Sequence, residues 1–202
     1  MCIRDRLKTP VTAALLLVEG MMNEVGKYRD TKKYLPQVKQ QLKIMQKIVE
    51  DILYLNHCTE HMEKEPFDLR ELAEEIVRGY QVQASEKKLT LTIAGACEPV
   101  CTDRDMMKKI IDNLVSNAVS YTPNGNLVEI TIEEKRLKVY NHGGHIEETL
   151  LPDIYEPFVS SDVQKKGRGL GLYILSYYAQ ILDCEVKIAN EPDGVSATIL
   201  IP

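Results

Sequence analysis

Val128-Glu129-Ile130-Thr131-Ile132-Glu133-Glu134-Lys135-Arg136-Leu137-Lys138-Val139-Tyr140 alternates apolar and polar residues on both sides of a short polar break. Alternation with period two predicts two strands, Val128 to Ile132 and Arg136 to Tyr140, joined by a tight turn at Glu133 to Lys135. A second pair closes the chain. Glu185 to Ala189 and Val195 to Ile201 flank the turn residues Pro192-Asp193-Gly194. Leu89 to Ile93 alternates Leu and Thr and reads as a further strand. Helices are interleaved with these strands. Asp68 can cap a helix from Leu69 to Ser85, with Glu71 as capping-box partner and Leu69, Leu72, Ile76 and Tyr80 as its apolar face. Asp103 opens a helix from Arg104 to Ser120, Thr122 to Asn126 is a turn, and Leu170 to Leu182 forms a helix after glycines. Hairpin connections favour an α+β unit, a mixed sheet covered by helices on one face, over a doubly wound parallel sheet.

Upstream the period changes. Leu7, Val11, Ala14, Val18, Met21 and Val25 are spaced by fours and threes, as are Leu35, Val38, Leu42, Met45, Val49 and Ile52. Each set is the a/d seam of a coiled-coil helix. The polar connection Gly26 to Lys33 is short, which makes the two helices antiparallel neighbours. A two-helix hairpin cannot surround its own seam, so a homodimer forming a four-helix bundle is expected. The second helix decays at Asn56 to His61. His57 and His61, with Cys58 beside them, have a helical metal-ligand spacing. With no obvious third ligand, they read as a solvated helix end.

The bulk composition sets limits. The 202 residues are 44% hydrophobic and 27% charged, and the net charge is -5. That is ordinary for a globular protein and argues against a nucleic-acid partner, which calls for a basic face. No apolar run reaches the roughly 18–20 residues that span a bilayer. The start lacks the small-residue cleavage site of a signal peptide. Five cysteines, an odd number without Cys-x-x-Cys spacing, read as reduced thiols.

Three segments in order carry the chemistry. In Asn113-Leu114-Val115-Ser116-Asn117-Ala118, the two asparagines are four apart and share one face of an otherwise apolar helix. Buried amides need partners, and an asparagine carbonyl oxygen suits Mg²⁺. In Val139-Tyr140-Asn141-His142-Gly143-Gly144, a strand ends in a polar residue and paired glycines, which allow backbone to approach a flat ligand. Asn141 could accept a hydrogen bond from an exocyclic amino group such as that of adenine. In Gly167-Arg168-Gly169-Leu170-Gly171-Leu172, glycines open a helix whose free N–H groups can hold an anion, with Lys165, Lys166 and Arg168 close by. The spacing is neither the Rossmann nor the Walker pattern, and the segment follows a lid-like stretch, Val159 to Lys166.

Together these segments resemble the N, G1 and G2 boxes of the sensor histidine kinases, in the ATPase superfamily shared with gyrase, Hsp90 and the mismatch-repair MutL proteins. Pro157-Phe158 resembles the F box, and Leu7-Lys8-Thr9-Pro10 resembles the tail of the H box on the dimerisation and phosphotransfer hairpin. The resemblance covers residues 7 to 202 and implies a Bergerat-type ATP-binding fold. It also implies ATP and Mg²⁺ as ligand and cofactor, and a response-regulator receiver domain as partner. By it, Asn117 ligates Mg²⁺, Asn113 and Tyr121 lie near the nucleotide, and Asn141 reads the adenine in place of the more usual Asp. Gly143, Gly169, Leu170 and Gly171 shape the cleft, while Lys165, Lys166 and Arg168 meet phosphate. In hydrolysing relatives the Asn113 position is a Glu that activates water. Asn cannot act as that base, so phosphoryl transfer is favoured over hydrolysis.

Two departures stand out. Ser120 occupies a place where the family often has a Lys. The H box would read His-Glu-Leu-Lys-Thr-Pro, but Asp5 and Arg6 stand where His and Glu belong, and only Thr9 and its neighbours survive. The expected organisation is therefore a non-native leader over residues 1–6 and a phosphotransfer hairpin over 7–60. A linker over 61–67 and an ATP-binding domain over 68–202 follow. The implied whole is a cytoplasmic histidine protein kinase portion whose parent is anchored in a bacterial cell membrane through an N-terminal sensor region. The chain as written has no acceptor histidine. A non-catalytic nucleotide-binding scaffold dimer and a non-kinase ATPase of the same superfamily are the alternatives.

Overall fold

The structure is a computed structural model that describes residues 3–57, 62–156, 159 and 171–202. The chain divides into two compact units, a helical hairpin and an α+β unit.

In the hairpin, α1 (Ile3–Met22) and α2 (Thr31–His57) are joined by a short 3-10 turn, Gly26–Arg29. The first helix is continuous across Arg6 and Leu7, where the H-box match breaks. It ends at Met22, so Val25 falls outside the expected seam; Glu24 and Gly26 both take positive φ, 51° and 49°, which terminates the helix. Tyr28 in the turn stacks obliquely on Tyr34, with ring centroids 4.9 Å apart. The expected seam is divided between two environments. Ala14 is buried and Val18, Met21, Val38 and Met45 are half-buried between the helices, whereas Leu35, Leu42 and Val49 are 56%, 55% and 43% exposed. These last three recur every seven residues, an apolar row that two helices alone cannot cover.

The α+β unit begins with β1 (Lys64–Phe67), inside the segment expected to be linker. It pairs antiparallel with β3 (Val100–Asp103), Lys64 opposite Asp103. Neither strand is legible from sequence, because four residues carry too little alternation and Pro66 reads as a breaker. The helix expected from Leu69 to Ser85 is two helices, α3 (Leu69–Gly79) and α4 (Gln81–Glu86), broken after Gly79, a poor helix former. Asp68 caps α3 through hydrogen bonds accepted from the backbone N–H of Arg70 and Glu71, at 2.7 and 3.1 Å. Asp103 caps α5 (Arg104–Tyr121) by accepting from Met106 N–H at 2.9 Å. Each cap of this kind contributes about 1 kcal/mol.

The main sheet has the order β2-β4-β5-β7-β6, from β2 (Thr90–Ala96), β4 (Leu127–Glu133), β5 (Arg136–His142), β7 (Gly194–Leu200) and β6 (Glu185–Glu191). Only β2 and β4 run parallel; the other pairs are antiparallel, which makes the sheet mixed. The tight turn between β4 and β5 places Glu134 at φ 50°. One face is apolar. Val128, Ile130 and Ile132 of β4 and Leu137 and Val139 of β5 are at most 2% exposed. Helices α3, α5 and α6 (Gly171–Ile181) pack on β2, β5 and β6. The inner side of α5, from Met106 to Val119, is almost wholly buried, and each large apolar side chain there contributes about 1.5–3 kcal/mol. On its outer side, Lys108 and Arg104 hold Glu75 of α3 at 2.5 and 2.7 Å, and hydrogen bonds first from Lys108 and then from Arg104 keep that carboxyl below its ordinary range.

The C-terminus of α5 has an unusual cap. Lys87 Nζ donates to the carbonyls of Val119, Ser120 and Thr122 at 2.7, 3.0 and 2.7 Å. A cation at a helix C-terminus opposes the negative end of the dipole and satisfies carbonyls the helix leaves open. Thr122 Oγ adds a bond to Ala118 O at 2.6 Å.

Candidate functional site

Two elements of the α+β unit, α5 and the end of β5, carry most of the predicted polar residues. On α5, Asn113 and Asn117 lie one turn apart and are half-buried. Asn113 Nδ2 donates to Lys109 O at 2.9 Å, which turns its Oδ1 outward. That oxygen faces Gly171, the first residue of α6; a β-carbon at Gly171 would come within 2.8 Å of it. Gly171 therefore meets the first segment side by side, and a larger residue there would have to displace the Asn113 amide. No hydrogen bond within the protein engages the Asn117 side chain among the described residues. Tyr121 ends α5 and is 37% exposed.

Asn141 lies on β5 directly after Leu137 and Val139 in the inward row, and is 7% exposed. Val128 and Val195 flank it on the neighbouring strands. Its amide thus sits on an apolar floor, and no hydrogen bond engages it among the described residues. A neutral amide so placed costs about 1–3 kcal/mol when unpaired. A buried orphan of this kind suits a ligand that completes its hydrogen bonds. The backbone after it leaves room: Gly143 adopts φ +71°, and a β-carbon at Gly144 would run into Asn141 Nδ2.

The loop that follows is braced by the β6–β7 hairpin, the strand pair that closes the chain. Gly143 N–H donates to Asp193 O at 2.7 Å. Asn190 of β6 clasps Ile146 in both directions, accepting from its N–H at 2.9 Å and donating to its carbonyl at 2.7 Å. Tyr155 O–H donates to Val186 O at 3.1 Å, and burial pushes that phenol above its ordinary pKa. No sequence signal marks these braces, since the contacts join residues more than thirty apart.

The other predicted residues are placed as follows. Lys165, Lys166, Arg168, Gly169 and Leu170, with Pro157 and Phe158, lie outside the described residues. The backbones of Asp5, Arg6 and Thr9 lie in α1. Cys58 and His61 are also outside the described residues, and no cluster of metal-ligating side chains occurs among the described ones. An open groove of about 500 Å³ lies elsewhere, between α3, α4 and α5, lined by Glu75, Tyr80, Lys108 and Asp112; none of the asparagines borders it.

The family model for histidine kinase-, DNA gyrase B- and HSP90-like ATPases matches residues 102–202, and that for the His Kinase A (phospho-acceptor) domain matches residues 3–57. The sensor protein VanSB of Enterococcus faecalis is 31% identical over 208 residues, which cover 97% of this chain and 46% of that protein. The chain spans about half the length of the curated relatives it matches. Among solved structures, the Acinetobacter baumannii histidine kinase AdeS superposes with a TM-score of 0.79 at 22% identity, covering 96% of this chain and 95% of that one. The histidine kinase ThkA, solved in complex with the response regulator protein TrrA, superposes with a TM-score of 0.76 at 23% identity, covering 99% and 59%. The two structures bear on the fold: a helical hairpin followed by a Bergerat-type ATPase unit. The two family matches fall in order on the hairpin and on the unit that carries Asn113, Asn117 and Asn141, and the chain belongs to the sensor histidine kinases of two-component systems.

Proposed function

We propose that the α+β unit binds ATP with Mg²⁺ and presents the γ-phosphate for transfer to a histidine, from which it passes to an aspartate on a response-regulator receiver domain. The observation that carries this reading is Asn141: 7% exposed, on an apolar floor beside a glycine turn, its amide without a hydrogen-bond partner among the described residues. A base seated there would be held by Asn141 and excluded from water by the valines of the same row. Magnesium bound through the oxygen of Asn117 would supply neutralising charge for the phosphates. Asn113 is turned toward the start of α6, so it borders the same cleft. It cannot abstract a proton from water, which favours transfer over hydrolysis. Tyr121, Gly143 and Gly171 bound the cleft in this reading; Lys165, Lys166, Arg168, Gly169 and Leu170 contribute the phosphate-binding loop.

The hairpin is read as the dimerisation and phosphotransfer domain over residues 7–60. Its exposed row, Leu35, Leu42 and Val49, fits a second copy, giving a four-helix homodimer. The ThkA complex with a response regulator supports a receiver domain as the further partner. No helix among the described residues is long and apolar enough to cross a membrane. The segment is read as the cytoplasmic portion of a membrane-anchored parent.

With Asp5 and Arg6 at the acceptor and acidic positions, this chain would bind nucleotide without phosphorylating itself. The test is to make Asp5→His and Arg6→Glu together and measure acid-labile phosphate with labelled ATP. Labelling only in the double variant supports the kinase reading. Absent labelling in a double variant that still binds ATP would favour the nucleotide-binding scaffold. Steady hydrolysis indifferent to any acceptor would favour the ATPase reading.

A further inference from the structure

Asn141 and Asn190 stand in one cross-strand row of the sheet, each opposite Val195. Two strand spacings separate them, about 10 Å. The chain leaves β5 just after Asn141, passes through Gly143 and Gly144, and reaches Ile146 five residues on. There Asn190 receives it. The clasp uses both ends of one amide, Ile146 N–H to Oδ1 at 2.9 Å and Nδ2 to the Ile146 carbonyl at 2.7 Å. In effect the side chain substitutes for a neighbouring strand and joins a loop to β6, the edge of the sheet. Only a carboxamide offers a donor and an acceptor side by side at neutral pH; aspartate has no donor, and alanine has neither. Over residues 143–146 the rest of the brace is backbone, Gly143 N–H to Asp193 O and the close seat of Gly194 against the Asn141 carbonyl, with the Tyr155 hydroxyl adding its bond to Val186 O farther along the chain. Asn190 is thus the side chain that holds the far end of the loop.

We propose that Asn190 is a positioning residue for nucleotide binding: it keeps the 143–146 loop in the conformation that leaves the Asn141 amide open to the base. This rests on the nucleotide reading above. If the clasp is lost, the loop samples other conformations, and apparent affinity falls in proportion to the competent fraction. Two part-buried hydrogen bonds hold enough free energy to change that fraction by about tenfold.

The experiment compares the unaltered chain with Asn190→Ala and Asn190→Asp. Binding of a non-hydrolysable ATP analogue with Mg²⁺ is measured by calorimetry, unfolding by circular dichroism, and exchange of the Ile146 amide by NMR. The expected result is an affinity loss of about tenfold in both folded variants, with faster Ile146 exchange. Asp is nearly the shape of Asn, so a packing role would leave Asn190→Asp unaffected, and unchanged affinity in that variant overturns the proposal. If neither variant folds, Ile146 exchange in the unaltered chain decides it: slow exchange supports the clasp, exchange at the rate of free backbone refutes it. If the unaltered chain binds no nucleotide, the functional reading fails, while the exchange measurement still judges the clasp on its own.

Discussion

Replacing Asn141 by valine should make the protein more stable and less able to bind nucleotide. Asn141 is 7% exposed in an inward row otherwise made of apolar residues, and its cross-strand neighbours are Val128 and Val195. Without ligand, the unpaired amide carries a desolvation cost of about 1–3 kcal/mol. Asn141→Val removes that cost, adds apolar burial and suits a strand. Part of the gain is lost because a β-branched side chain beside Gly144 must fit a tight space. A net stabilisation of about 1–2 kcal/mol is expected, which for a chain of this size raises Tm by about 2–8 °C. Nucleotide affinity should move the other way. A site built to hydrogen-bond a polar group discriminates strongly when the partner is lost, so the affinity for an ATP analogue should fall by at least about tenfold. The assays are thermal unfolding without nucleotide and calorimetric titration with it. A lower Tm together with unchanged affinity would show that the amide is structurally satisfied and does not face a ligand.

Three further outcomes follow from particular contacts. Lys87→Met removes three charge-assisted bonds from the end of α5 and should cost about 2 kcal/mol, read as a Tm lowered by about 5 °C; an unchanged Tm would mean that water caps the helix equally well. Leu42→Glu puts a charge in the centre of the exposed heptad row and should convert a dimer to a monomer by light scattering, and a variant that stays dimeric places the interface elsewhere. Burial first, and Asp183 second, push the Cys184 thiol up to about 11. Its unfolded value is near 8.5, so below that pH both states hold the proton. Above it the unfolded chain ionises first, and stability falls between about 8.5 and about 11. That decline should be smaller in Cys184→Ala, where Tyr155 and Cys97, whose acidic protons burial also holds, still contribute, and a decline of undiminished size there assigns it to other groups.

The hairpin strands were legible because both faces differ along them. Val128 to Ile132 and Arg136 to Tyr140 alternate, and their apolar members Val128, Ile130, Ile132, Leu137 and Val139 form the buried rows in the structure. The caps at Asp68 and Asp103 were legible because an N-cap is a local interaction. The short strands β1 and β3 were not, since their pairing joins residues about forty apart and neither has room for a pattern. The position of Asn141 after two inward residues could be read from period two, but its isolation among valines needed the sheet order. The Asn190 clasp and the Lys87 cap were out of reach for the same reason: each is one polar side chain in ordinary surroundings, meaningful only once the fold brings a distant backbone to it.

The most direct test is calorimetric titration of the chain with a non-hydrolysable ATP analogue, with and without Mg²⁺, beside Asn117→Ala. Asn117 is half-buried on α5, and its side chain has no hydrogen bond among the described residues, so its loss should leave Tm nearly unchanged. The prediction is one saturable site in the unaltered chain that needs Mg²⁺ for full affinity. In Asn117→Ala that Mg²⁺ dependence should vanish and affinity should drop by about tenfold or more. Absence of saturable binding in the unaltered chain, or an unchanged Mg²⁺ dependence in the variant, would contradict the assignment.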